Sequence, residues 1–235
     1  MTKLLYLKCP DLHEVQAKIV TGGKDDRGQF IVLDQTLFYP QGGGQPADLG
    51  IVRLGEMVIG VTNVRLSDDE VRHYINVTFE PNFKNKDVKI YIDHKRRLIN
   101  TKYHSAGHLL GTIVEELYSE LRAVKGHQFP SEAYVEFQGV VVLDAKTIES
   151  AINNAIEQNM LINTVYMNKQ EFLKMLTTLP YEIPLDKKFR VCKIGHYMPI
   201  PCGGTHVKSL SEIGNVTITK IKVKKGKTKI SYGVI

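Results

Sequence analysis

The sequence predicts an α+β protein, with a small β-barrel or meander first and a unit of helices packed on antiparallel sheet after it. Two changes of texture carry this reading. Up to about residue 90, short segments rich in Val and Ile alternate with breaks of Gly and Asp. From about residue 93, apolar and small residues recur at threes and fours, and helical and strand-like stretches then alternate to the end.

In the first part, strands are expected at residues 17–20, 29–34, 51–54, 58–64 and 71–79. Gly22-Gly23, Gly42-Gly43-Gly44, Asp48-Leu49-Gly50 and Ser67-Asp68-Asp69 punctuate them. Several short strands at close spacing fit a barrel or meander. A polar turn at residues 81–86, then a strand at 88–92, mark a boundary, which gives domains 1–90 and 91–235. In the second part a helix is expected over 93–121, followed by a hairpin of 134–137 with 140–143 about Gln138-Gly139. A helix at 145–159, a strand at 162–167 and a helix at 169–177 ended by Pro180 come next. Strands near 189–194, 214–221 and 229–234 close the chain, and no repeat is visible.

The 235 residues are enough to bury a real core, and 43% hydrophobic with 24% charged residues is ordinary for a globular chain. No apolar run reaches the roughly 20 residues of a membrane-spanning helix. The apolar stretch at the N-terminus is too short for a signal peptide. Cys9, Cys192 and Cys202 are an odd set without secretory context, so no disulfide framework is expected and the cytoplasm is the expected compartment. The net charge of +6 is concentrated. One cluster is His94-Lys95-Arg96-Arg97 with Lys102; the other is the run from Lys220 to Lys229, where Lys alternates with Ile and Val. Such alternation puts charge on one face of a sheet and apolar groups on the other. The face is either a solvated edge guarded by lysines or a patch that tracks phosphates.

The chemistry-bearing residues come in two pairs. His104 and His108 lie four apart in the expected helix, so their imidazoles project from one face. Cys202 and His206 lie four apart in Pro201-Cys202-Gly203-Gly204-Thr205-His206, where two glycines permit a tight turn. Three imidazoles and one thiolate match the ligand preferences of Zn²⁺. A zinc protease of the HExxH kind is excluded, because Ser105 stands where its glutamate base is needed. Four candidate ligands would close a structural site, whereas a catalytic site keeps a position open. Three histidines lean toward a catalytic or substrate-positioning ion, and both roles stay open.

The segments HSAGHLL and PCGGTHV resemble the editing domain of alanyl-tRNA synthetase and its free-standing AlaX relatives. Residues 38–50 (FYPQGGGQPADLG), Asp93 with Arg97, residues 134–137 (YVEF) and residues 211–214 (SEIG) fit the same family in the same order. The resemblance implies a barrel followed by an editing domain, in the medium-length class. It implies hydrolysis of tRNA for alanine mischarged with serine, or with glycine, while alanyl-tRNA is spared. It implies one Zn²⁺ held by His104, His108, Cys202 and His206. Gly42, Gly43 and Gly44 would admit close backbone approach to substrate, with Gln45 beside them as a catalytic donor and acceptor. Thr205 would meet a serine hydroxyl or satisfy its own turn. Arg96, Lys222, Lys224 and Lys225 would contact phosphates. His127-Gln128 departs from the family pattern of an aromatic followed by histidine, which bears on amino-acid preference or rate. The competing readings are an RNA-binding module whose zinc only holds the fold, and a zinc hydrolase of another small ester or amide.

Overall fold

The computed structural model describes residues 1–175 and 188–235. It divides into two compact units, Met1–Ile99 and Asn100–Ile235.

The first unit contains β1 (Lys3–Leu4), β2 (Glu14–Asp25), β3 (Gly28–Leu33), β4 (Gln35–Thr36), β5 (Gly50–Leu54), β6 (Met57–Ser67), β7 (Glu70–Ile75) and β8 (Asp87–Ile92). Strands β2-β3-β7-β6-β5-β8 close into a barrel, while β1 and β4 pair in parallel. Closure follows from alternation. Along β8 the side chains of Val88, Ile90 and Ile92 are buried while those between them reach solvent. Ile19, Ile31, Leu33, Val52 and Ile59 join Ile90 in a core closed to water. His73 is buried in this unit. A carbonyl can only accept, so Nδ1–H donates to the Ile31 carbonyl at 3.2 Å. Its Nε2 then accepts from the Thr36 hydroxyl at 2.7 Å. Burial holds its pKa down at about 4, so the ring is neutral.

The glycine-rich segment turns sharply. Gly42 N–H donates to the Gln45 carbonyl at 3.2 Å and Gln45 N–H returns to Gly42 at 2.9 Å. Gly43 and Gly44 between them have φ of +53° and +83°, a region glycine enters without steric penalty. Asp48, fully buried, anchors the segment by accepting Tyr39 N–H at 2.7 Å. Arg97 neutralises it, with Nε 3.0 Å from each carboxylate oxygen and Nη2 on Oδ2. The same Nη2 donates to the Leu37 carbonyl at 2.6 Å.

α1 (His94–Leu117) runs through the division between units. Asp93 accepts Arg96 N–H at 3.0 Å at the helix start. The second unit continues with β9 (Arg122–His127), β10 (Tyr134–Gln138), α2 (Ala145–Glu157), β11 (Ile162–Met167), α3 (Lys169–Leu173), β12 (Phe189–Ile194), β13 (Ile200–Pro201), β14 (Val216–Lys224) and β15 (Lys227–Val234). One sheet has the order β14-β15-β10-β9, the other β11-β12-β13. Leu109, Leu110 and Val114 of α1 and Ile148 and Ile152 of α2 share a core with Phe137 and Ile230 of the larger sheet. The architecture is α+β with strands dominating, as the sequence predicts. No described helix is long and apolar enough to cross a membrane.

Three expectations are corrected. Residues 140–143 form no strand: Gly139 leaves β10 with φ of +110°, and β9 and β15 already occupy both edges of β10. α1 stops at Leu117, and the strand β9 follows. Glu115 of that helix accepts Ala123 N–H at 2.6 Å and so helps to turn the chain back. α3 ends at Leu173; residues 176–177 and Pro180 of the expected helix lie outside the described residues.

Asp48 and Arg97 are both buried, so removing one strands the other's charge. Arg97→Met should lower the unfolding free energy by about 3–5 kcal/mol, read as a lower urea midpoint. A variant that keeps the wild-type midpoint would refute the anchoring role.

Candidate metal centre

His104 and His108 sit one turn apart on α1, and Gly107 between them is a packing requirement. A Cβ there would lie 2.7 Å from Tyr232 Oη and 2.8 Å from Gln128 Cγ. Cys202 and His206 enter from the turn after β13. Arg190 of β12 donates Nη1 to the carbonyls of Cys202 and Gly204, at 2.9 and 2.8 Å, and so shapes that turn.

The donor atoms converge. His104 Nε2 lies 3.2 Å from His108 Nε2 and 3.5 Å from Cys202 Sγ, and Cys202 Sγ lies 3.2 Å from His206 Nε2. The four ligand atoms all fall within 4.8 Å of one another. A tetrahedron with metal–nitrogen bonds of about 2.0–2.1 Å and a metal–sulfur bond of about 2.3 Å has edges of about 3.3–3.6 Å. The cluster therefore fits a single metal ion.

Supporting contacts aim the donors. The other ring nitrogen of His206, Nδ1, is 3.2 Å from Ser105 Oγ, which also accepts Val207 N–H at 3.2 Å. His104 makes a backbone hydrogen bond to Thr205. Such partners fix ring orientation and tautomer. Gly204 N–H donates to Cys202 Sγ at 3.3 Å, a contact that favours the thiolate. His108 Nδ1 is buried without a hydrogen-bond partner.

The imidazoles are held in the neutral form that metal ligation requires. Burial, then the neighbouring charges of His108 and Arg190, pushes His104 well below its usual pKa. Burial and Arg190 bring His108 down to about 4. Burial foremost, then His104, His108 and Arg190, pushes His206 well below its usual pKa. Burial raises the Cys202 thiol to about 11, against the lowering pull of Gly204 N–H and Arg190. Without an ion the centre thus holds neutral imidazoles and a protonated thiol.

The other sequence-predicted residues are divided between the two units. Gly42 to Gln45 belong to the first unit, with Gln45 fully buried. Arg96, half-buried, donates Nε to the Ala47 carbonyl at 3.2 Å and so also holds the glycine-rich segment. Thr205 is buried beside the centre, its hydroxyl 2.7 Å from that of Thr101. Lys222, Lys224 and Lys225 are exposed on the β14–β15 hairpin, Lys225 at its turn with φ of +51°. Arg190 and the supporting role of Ser105 were missed. Their partners lie 12 to 14 and about 100 positions away, and neither residue belongs to a spacing pattern.

Residues 7–96 match the family described as tRNA synthetases class II (A). Residues 189–230 match the second additional domain of threonyl and alanyl tRNA synthetases, and contain Cys202 and His206. The chain is 34% identical over 230 residues to the alanyl-tRNA editing protein AlaX-L of Pyrococcus horikoshii, covering 94% of this chain and 54% of that protein. The similarity to an alanyl-tRNA editing protein thus runs over nearly the whole of this chain. The chain is also 31% identical to the alanine–tRNA ligase of Haloquadratum walsbyi, over 92% of this chain and 24% of the ligase. With the ligase of Korarchaeum cryptofilum it shares 27% identity over its full length and 26% of that protein. The chain thus spans about half of its AlaX-L relative and about a quarter of these ligases.

Since the metal-free protein would carry one ionisable proton on the Cys202 sulfur and none on the imidazoles of the centre, loading one divalent ion at pH 7.5 should release about one proton per chain. An indicator dye in weak buffer reads this directly. Release of three or more protons would contradict the assignment of neutral imidazoles.

Proposed function

We propose that the chain hydrolyses the ester of alanine tRNA mischarged with serine or glycine, sparing alanyl-tRNA, at a Zn²⁺ centre formed by His104, His108, Cys202 and His206. The observation that carries this is the convergence of those four donors in a chain whose relatives include an alanyl-tRNA editing protein. Zinc is the ion of choice because imidazole with one thiolate suits a borderline-soft, tetrahedral cation. When bound, zinc supplies a Lewis acid that orients the substrate's amino group or activates water.

The remaining work falls to the chain's own residues. An aminoacyl ester is already activated, so the site must chiefly position it and favour developing negative charge. Ser105, through His206 Nδ1, and Gly204 N–H, through Cys202 Sγ, keep the donors in place. Thr205, held by Thr101, is our candidate for reading the serine hydroxyl, the one group by which serine exceeds alanine. Gln45 is our candidate for a catalytic amide and Gly42, Gly43 and Gly44 for close backbone approach. Arg96, Lys222, Lys224 and Lys225 would take tRNA phosphates, and such a substrate is met in the cytoplasm.

A second reading has one observation in its favour: four protein donors close a coordination sphere, as in structural zinc. The chain would then be a zinc-stabilised RNA-binding module.

A deacylation time course with seryl- and alanyl-tRNA for alanine separates the readings. Wild type should clear the seryl form and spare the alanyl form, and folded Cys202→Ala should clear neither. If wild type binds tRNA yet hydrolyses neither ester, the hydrolase reading is lost and the binding module replaces it.

A further inference from the structure

The sheet β14-β15-β10-β9 has one face on the core, through Val135, Phe137 and Ile230. The opposite face carries an arrangement that packing does not require. Tyr134 pairs across strands with His127, and their rings stack at 5.1 Å and 28°. Phe129 continues the stack on His127, at 4.2 Å with the rings 3° from parallel. Lys229 Nζ lies 3.3 Å from the centre of the Tyr134 ring. All three rings are half-buried rather than enclosed.

The registers of the strands place cations around this row. Lys222 faces Lys229 and Lys224 faces Lys227 across β14 and β15, so alternate positions repeat positive charge along one face. On β10 the next position carries Glu136, which Lys227 binds at 2.7 Å. Glu132 meets the edge of His127 at 3.1 Å. These carboxylates are each already engaged, and the lysines of β14 are exposed. Cations repeated at strand spacing would repel one another unless an anion ran between them.

We propose that this face is a platform for unpaired RNA, in which a nucleobase joins the Phe129–His127–Tyr134 stack and the lysine pairs of β14 and β15 hold flanking phosphates. A base offers a flat π face to a ring of any sequence context, and a polyanion supplies negative charge to the lysine rows beyond the one carboxylate, Glu136, that Lys227 holds. A blunt duplex hides its bases and can use the lysines alone. The platform rests on the reading of tRNA as substrate, and it assigns to this face the unpaired nucleotides of that substrate. It is a binding surface separate from the four-donor cluster, with no residue in common.

The test uses the full chain with two probes, a short unpaired RNA containing 2-aminopurine and a blunt RNA duplex of equal charge. Wild type should bind the unpaired probe more tightly and quench its fluorescence. His127→Ala should weaken that binding by about tenfold and remove the quenching, while leaving duplex binding unchanged. Lys222→Gln with Lys224→Gln, both exposed, should reduce the salt slope of single-strand binding by about 1.4. This second variant keeps the test open should His127→Ala fail to fold, which its thermal midpoint reports. Equal binding of the two probes, or a folded His127→Ala that binds and quenches like wild type, overturns the platform. An unchanged salt slope in the lysine variant overturns it too. Deacylation by wild type is scored apart: hydrolysis without these binding effects removes only the platform, and platform binding without hydrolysis removes only the hydrolase.

Discussion

Three imidazoles and a thiol share a space whose donor atoms lie within 4.8 Å, where burial and one another's charge disfavour protonated rings. That constraint organises the second unit. Burial keeps His104, His108 and His206 neutral, and the Arg190 guanidinium makes a second positive charge there still less welcome. The same arginine ties down the carbonyls of Cys202 and Gly204, so one side chain both folds the turn and adds to the burial that keeps the rings neutral. A centre whose four donor atoms already converge needs little rearrangement to take a cation. Folding and metal affinity are therefore coupled through the same contacts.

The support of the centre comes from ordinary packing. α1 holds its two histidines at fixed separation because Leu109, Leu110 and Val114 bury its inner face. Gly107 lets Tyr232 and Gln128 close against that helix, and Tyr232 Oη donates to the Tyr103 carbonyl at 2.7 Å. In the first unit, the buried Asp48–Arg97 pair does for the glycine-rich segment what Arg190 does for the cysteine turn. In each case an arginine reads backbone carbonyls that no regular element satisfies.

Much of this was legible because local spacing encodes it. Short Val- and Ile-bearing segments at close spacing pointed to a barrel or meander, and the intervals of four between His104 and His108 and between Cys202 and His206 pointed to the donors. What stayed hidden depends on chain segments far apart in sequence. Nothing in Val140 to Leu143 says that both edges of β10 are already taken, by β9 and by β15. Ser105 reads as a failed catalytic base, yet it meets His206 across 101 positions. The alternation of Lys220, Lys222 and Lys224 was visible, but their alignment with Lys229 and Lys227 is set by hairpin register and a bulge near Ile218.

The central claim, that the four donors form one metal centre, is tested most directly by X-ray absorption at the zinc edge on the purified chain. The account predicts one zinc per chain with three nitrogen neighbours at about 2.0–2.1 Å and one sulfur at about 2.3 Å. Zinc without a sulfur neighbour, or a chain that binds no stoichiometric metal, would contradict it.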